Sequence, residues 1–340
     1  MPDNIQSKTV AEKIAIANQV YANYPLFHLV LTDIDRCHYS PKIKGKDDPD
    51  CLLLVGNTGS GKTTILETYL ESYPRKDTDD GSIVPVMYTL IPPPASVKGL
   101  VTNMLEKLGD PLYEKGSTIV QTIRLYRLLN ECKVELIILD EFHHFIDRES
   151  KKVLVTLCDW LKSLIVNTKI PVVLFGMPIS ENILKVDNWQ LSRRFNYRHN
   201  LVPFPQDEAG LNLFRGFLRE IEGQLPLLGK SNLAGKSLSE RIYYATDGTI
   251  GHVMTLIRKG ATYAIEHDSS CIDLDILHAT YWKYLKHEKL FKKTDPFLED
   301  KFDMEASYAQ DRESTENQSY SNKKKKKKKS VSDINKMLTT

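Results

Sequence analysis

The chain has 340 residues, enough for about two domains, and its 41% apolar and 26% charged content is that of an ordinary folded protein. Its longest apolar runs, Leu52–Val55, Leu136–Leu139 and Pro171–Met177, are strand-length and far below the roughly 18 residues of a membrane span, which excludes a helical membrane protein. Seven of the positive charges stand together at Lys323–Lys329; taking those seven from the net +2 leaves −5, so any nucleic-acid binding must come from a local patch or from that tail.

Met1 to Asn18 is polar throughout, with no signal-peptide core, and this predicts a cytoplasmic protein. Thr9-Val10-Ala11-Glu12 is a capping-box pattern that opens a helix, and Pro25 is expected to end it. Arg36 to Pro49 reads as a loop. Then comes Leu52-Leu53-Leu54-Val55, a buried strand, followed by Gly56-Asn57-Thr58-Gly59-Ser60-Gly61-Lys62-Thr63-Thr64. That turn fits the P-loop pattern from Gly56 to Thr63. Glycines let successive N–H groups face phosphate oxygens, and the following helix adds its N-terminal positive end. Lys62 would reach the β- and γ-phosphates, and the Thr63 hydroxyl would ligate Mg²⁺. The stretch predicts a nucleoside triphosphate site.

Further along, Ile83–Thr89 reads as a second strand, Val97–Leu108 and Thr118–Cys132 as helices, and Val134–Leu139 as a strand ending in Asp140-Glu141. An apolar strand ending in two acids is the usual partner of a P-loop. Asp140 would hold Mg²⁺, and Glu141 would orient and deprotonate the attacking water, which favours hydrolysis over transfer to a substrate. Lys151–Val166 is helical and Ile170–Gly176 is another strand, an alternation that implies parallel βαβ units. Arg193 and Arg194 follow the last core strand, where an arginine can reach a neighbouring subunit's γ-phosphate. The five cysteines are scattered without a C-x-x-C pair and read as reduced structural thiols. Adjacent His143 and His144 are expected to project in different directions, against a metal role.

After Pro203-Phe204-Pro205 only helical periodicity remains, over Glu208–Ile221, Ser237–Ala245, Ile250–Ile265 and Asp273–Lys286. The expected organisation is an N-terminal helix and loop (1–48), an α/β core (49–205), a small all-helical domain (206–290) and a polar, disordered tail with the lysine run (291–340). Val331–Leu338, beyond the lysines, reads as a short docking segment.

In the order of these segments the chain resembles AAA+ ATPases and, more narrowly, the TnsC/TniB regulators of transposition, including those of CRISPR-associated transposons. The likeness rests on Gly56–Thr63, on Val84-Pro85-Val86-Met87-Tyr88, on Val134–Glu141 and on Asp247-Gly248-Thr249-Ile250-Gly251. It implies an AAA+ P-loop core with a parallel sheet flanked by helices, plus a helical lid. It further implies an ATP- and Mg²⁺-dependent homo-oligomer, ring or filament, on duplex DNA. Such a protein links a target-selection protein of the TniQ/TnsD kind to the transposase. By the same resemblance the finger arginine falls on Arg194, backbone contacts with DNA on Lys98, Ser117 and Thr118, and a lid contact with the nucleotide on His252. Two positions depart from the family: Met177 stands where a γ-phosphate-sensing threonine is common, and His252 where arginine is usual. With weaker contacts to ATP, slow hydrolysis is expected. A replication-type loader or initiator shares these ATP-site residues, and a stand-alone P-loop phosphotransferase or signalling NTPase would not need Arg194.

Overall fold

The computed structural model describes residues 7–21, 24–44, 48–79, 81–146, 151–184, 189–286 and 293–313. The lysine run Lys323–Lys329 and the segment Val331–Leu338 lie outside the described residues.

Helix α1 (Val10–Gln19) carries both bonds of the capping box, Thr9 accepting from Glu12 N–H and Glu12 accepting from Thr9 N–H at 2.7 Å. Pro25 ends nothing. It is the first residue of α2 (Pro25–Lys44), where its fixed φ and missing N–H suit the opening turn. That helix also runs through much of the stretch expected as a loop. Pro41 leaves the Cys37 carbonyl without its helical donor, and Ser40 Oγ donates to it instead at 2.8 Å. Burial of Ile34, Cys37 and His38 outweighs the local turn signals.

Strand β1 (Leu52–Gly56) and α3 (Lys62–Ser72) lead to a hairpin of β2 (Lys76–Thr78) and β3 (Gly81–Ile83), then to β4 (Val86–Leu90). The single strand expected over Ile83–Thr89 is thus divided. Pro85 has no N–H for a ladder, and its carbonyl accepts from Glu135 and Leu136 at 2.8 and 3.1 Å. Next come α4 (Val97–Leu108), α5 (Thr118–Glu131), β5 (Leu136–Asp140), a 3₁₀ turn at Phe142–Phe145, α6 (Lys151–Thr168) and β6 (Val172–Gly176). A second 3₁₀ turn (Pro178–Leu184), α7 (Trp189–Ser192) and β7 (Tyr197–Leu201) follow. The last strand has no counterpart in the sequence reading, because Tyr-Arg-His-Asn-Leu is mostly polar and only Leu201 is buried in it.

The five-stranded sheet has the order β4-β5-β6-β1-β7, with every neighbouring pair parallel. All five residues of β1, β5 and β6 are buried, as expected of central parallel strands covered on both faces. Apolar residues of α4, α5 and α6, among them Leu100, Met104, Leu125 and Leu161, form the core with Leu53, Ile137 and Leu174. Leu90 stands opposite Asp140 and Val55 opposite Gly176, so the loops after β1, β5 and β6 leave from one edge.

The chain divides into two compact units, residues 23–202 and residues 1–22 with 203–340. The first holds the whole sheet. Among its described residues the second is helical, built from α1, α8 (Glu208–Gln224), α9 (Lys236–Thr246), α10 (Ile250–Glu266), α11 (Leu274–Thr280) and a π turn at Tyr281–Leu285. Arg258 of α10 donates from Nε and Nη2 to the Val20 carbonyl at 3.0 and 2.5 Å, tying down the end of α1. Disorder is not the state of residues 293–313, despite their polar composition. Residues 304–313 are helical, Phe297 and Met304 are buried, and Lys293 lies over the rings of Tyr244 and Tyr308 at 4.6 and 4.7 Å. Its Nζ also donates to the Tyr244 carbonyl at 2.7 Å and to the Asp247 carboxylate. A few well-placed contacts suffice where average composition predicts none.

Candidate nucleotide site

The turn after β1 is shaped by its glycines. A Cβ on Gly56 would come within 2.3 Å of Ser60 Oγ, so only glycine lets the loop close. Gly59 and Gly61 have φ of 77° and 97°, a region that costs other residues about 1–2 kcal/mol each. Ser60 N–H donates to Asn57 O at 3.1 Å, and Ile65 N–H to Gly61 O at 3.1 Å starts the α3 ladder. No side chain caps that helix, which leaves its first N–H groups to an outside acceptor. Asn57, Thr58, Gly59 and Thr63 are exposed, Thr64 is half-buried, and Ser60 is buried with no hydrogen-bond partner for its hydroxyl among the described residues.

Lys62 Nζ donates to the carbonyls of Gly56 and Asn57 at 2.6 and 3.1 Å. Burial lowers its pKa, opposed by the negative charges of Asp140 and Glu141. A desolvated cation whose hydrogen bonds go to neutral carbonyls, an uncapped helix start and a hydroxyl with no partner among the described residues together suit a polyphosphate. Thr63 Oγ1 and Asp140 supply the hard oxygen donors that Mg²⁺ prefers.

Asp140 closes β5 at 8% exposure, and one of its carboxylate oxygens accepts Glu141 N–H at 2.7 Å. Burial raises its pKa, and the Glu141 charge adds to that; the Glu141 N–H bond, Lys62 and His143 act the other way. A raised folded-state pKa means that this group's favourable contribution is complete below the unfolded value of about 3.9 and is lost as pH rises through the folded value. Asp140→Asn removes that loss. Thermal melts of the nucleotide-free protein should show the variant gaining on the parent as pH rises toward neutrality, each kcal/mol of relief appearing as about 2–4 °C. A gap independent of pH would contradict the assignment.

Glu141 follows in the left-handed region, φ 57° and ψ 34°, uncommon for a residue with a side chain. The turn after it brings His143 Nδ1 within 3.2 Å of Glu141 Oε2. The two imidazoles do not diverge as the sequence suggests: their centroids are 4.3 Å apart, because a tight 3₁₀ turn folds the pair over Glu141. Nothing in the local sequence shows that turn.

Arg194 is placed unlike an arginine waiting for a neighbour. Its side chain is 7% exposed and its Nη2 is 2.5 Å from Asp48 Oδ2, while Lys169 Nζ holds the same carboxylate at 3.1 Å. Its carbonyl accepts Cys51 N–H at 2.7 Å, just before β1. Arg193, beside it, is exposed. Asp48 was not legible as a site residue, since 146 positions separate it from Arg194. Met177 follows β6 and its carbonyl accepts Ser180 N–H at 2.8 Å. His252 is half-buried in the first turn of α10, in the helical unit.

Lys98 is exposed in the first turn of α4, and Ser117 and Thr118 stand at the start of α5, which packs on α4. Ser117 Oγ accepts Val120 N–H at 3.5 Å, so N-capping already accounts for a hydroxyl there.

A model of the family described as "Bacterial TniB protein" matches residues 13–203. No curated protein matches the chain. Among solved structures, the ORC2 protein of Aeropyrum pernix, in ADPNP-ADP complexes, is similar at TM-score 0.55 and 14% identity over 78% of this chain and 70% of that one. Cdc6p from Pyrobaculum aerophilum gives 0.54 and 16% over 77% and 68%. The Aeropyrum pernix ORC1 protein, solved in complex with DNA, gives 0.53 and 14% over 76% and 65%. At such identities the likeness is one of fold, that of AAA+ ATPases. No described helix is long and apolar enough to cross a membrane.

Proposed function

The chain belongs to the TniB family, whose model matches more than half of its length, and from this we propose that it is an ATP-controlled assembly switch in DNA transposition. With ATP it assembles as a homo-oligomer on duplex DNA and links a target-selection protein of the TniQ/TnsD kind to the transposase. The observation that carries this reading is the meeting of Gly56–Thr64 and Asp140-Glu141 at one edge of a parallel sheet, β6 lying between their strands.

Gly56 to Thr64 would hold the phosphates, and Thr63 and Asp140 the Mg²⁺. A cation held there would supply positive charge to offset that of the bound phosphates. Lys62 exchanges two neutral carbonyls for anionic phosphate oxygens, so that the acceptor as well as the donor is charged. Glu141 orients the attacking water and accepts its proton. Arg194 leaves Asp48 to meet the phosphate of a neighbouring copy. Met177 offers that phosphate at most a weak thioether acceptor, so slow hydrolysis is expected. Such a site holds ATP longer than it takes to assemble.

Lys98, Ser117 and Thr118 are the proposed DNA contacts, reading backbone rather than sequence. Electron microscopy of the full chain with duplex DNA and a slowly hydrolysed ATP analogue tests the proposal: rings or filaments along DNA are expected, and dispersed single copies would sink it. In the same mixture Lys98→Ala should weaken DNA binding about equally on all sequences and reduce the salt slope by about one.

A further inference from the structure

The 3₁₀ turn after β5 sets beside Glu141 two imidazoles that ATP hydrolysis does not require. One ligating atom each of Glu141, His143 and His144 lies within 4.8 Å of the other two. The edge between Glu141 Oε2 and His143 Nδ1, at 3.2 Å, is close to the roughly 3.3 Å separating two ligands at 2.0–2.1 Å from a tetrahedral ion. His143 is 8% exposed, and among the described residues its Nδ1 makes no hydrogen bond, the 3.2 Å approach to Glu141 being poorly aligned for one. A buried ring nitrogen aimed at a carboxylate without bonding it is a costly arrangement for a purely structural histidine.

The turn is held from both sides. His144 N–H donates to Glu141 O at 3.0 Å and Ile146 N–H to His143 O at 2.7 Å. Against β6, a Cβ on Gly176 would stand 3.3 Å from His143 N, so the absence of a side chain there lets the turn sit close. Glu141 has left-handed backbone angles, and its Oε2 lies 3.2 Å from His143 Nδ1.

We propose that Glu141, His143 and His144 form a three-ligand site for a zinc-class divalent cation, with a fourth position open to water. Two imidazoles and one carboxylate suit zinc and its borderline neighbours, whereas Mg²⁺ prefers an all-oxygen shell. The site is therefore chemically distinct from the Thr63 and Asp140 donors beside it. Filling it takes Glu141's carboxylate away from the attacking water, so the ion stops hydrolysis and leaves ATP bound. This last consequence rests on the reading of Glu141 as the base; the binding does not.

The test uses the full chain, stripped with a chelator, desalted and kept in Mg²⁺. Co²⁺ is titrated by its visible absorption and Zn²⁺ by competition with a chromophoric chelator. One saturable equivalent is expected, with the intense absorption of four-coordinate Co²⁺, and Zn²⁺ should suppress ATP turnover over the same range. Because His143 is buried and its loss can disturb folding, the deciding variant is His144→Asn on the half-buried partner. It should keep the parent's turnover without zinc, lose its sensitivity to zinc, and bind Co²⁺ at least about tenfold more weakly, the loss that removal of even an outer partner causes. No saturable binding, or binding unchanged in His144→Asn, would overturn the site. Binding that depends on His144 but leaves turnover untouched would keep the site and remove Glu141 from the role of base.

Discussion

Glu141→Gln should lower steady-state ATP turnover by at least about a hundredfold and leave nucleotide affinity nearly unchanged, because general-base catalysis typically contributes 10²–10⁴-fold. The side chain is nearly isosteric and its exposure is intermediate, so the change costs little packing. The Glu141 N–H bond to Asp140 is a backbone bond and survives. Phosphate binding would be carried by Lys62 and the glycine loop, which the substitution does not touch. Filaments on DNA should then accumulate with ordinary ATP, as is expected with the slow analogue. Single-turnover kinetics and nucleotide titration separate the two effects. Unaltered turnover would mean that another group activates the water.

Arg194→Ala should abolish most turnover in the assembled state, since an arginine supplied to a neighbour's phosphate is worth on the order of 10³–10⁵ in rate. The structure adds a complication, because Arg194 sits in an intrachain pair with Asp48. Breaking a buried pair can cost about 3–5 kcal/mol when a charge is left stranded. Here the partner left behind is 29% exposed and keeps Lys169 at 3.1 Å, so folding should be affected far less than turnover. Asp48→Asn supplies the control: it weakens the same pair but keeps the arginine. Turnover lost in Arg194→Ala and retained in Asp48→Asn, with both variants melting near each other, is the expected pattern. Equal losses would assign Arg194 a structural role, and Arg193→Ala would then test the exposed neighbour.

Glu141, Lys62 and Thr63 are legible as candidates because each belongs to a contiguous pattern whose chemistry depends on spacing along the chain. The buried runs Leu52–Val55, Leu136–Leu139 and Val172–Gly176 are legible for the same reason, as parallel strands covered on both faces read as unbroken apolar segments. From these the α/β fold with its helical companion followed, and the order of the motifs pointed to the TniB family. Pro25 and Pro41 misled, since one proline opens a helix and the other is accommodated inside it by a serine hydroxyl. β7 was hidden by its polar residues, and the folded segment 293–313 by its polar average.

What the tertiary structure alone decided is pairing over distance. Asp48 and Arg194 meet across 146 positions, which turns a candidate finger into a side chain already engaged. Local backbone geometry decided a second matter, folding His143 and His144 over Glu141 where adjacency in the chain suggested divergence. A sequence determines which groups are present and which strands and helices their periodicity favours. Whether a charge stands free or paired, and which way a tight turn directs its side chains, depends on contacts that have no period to read.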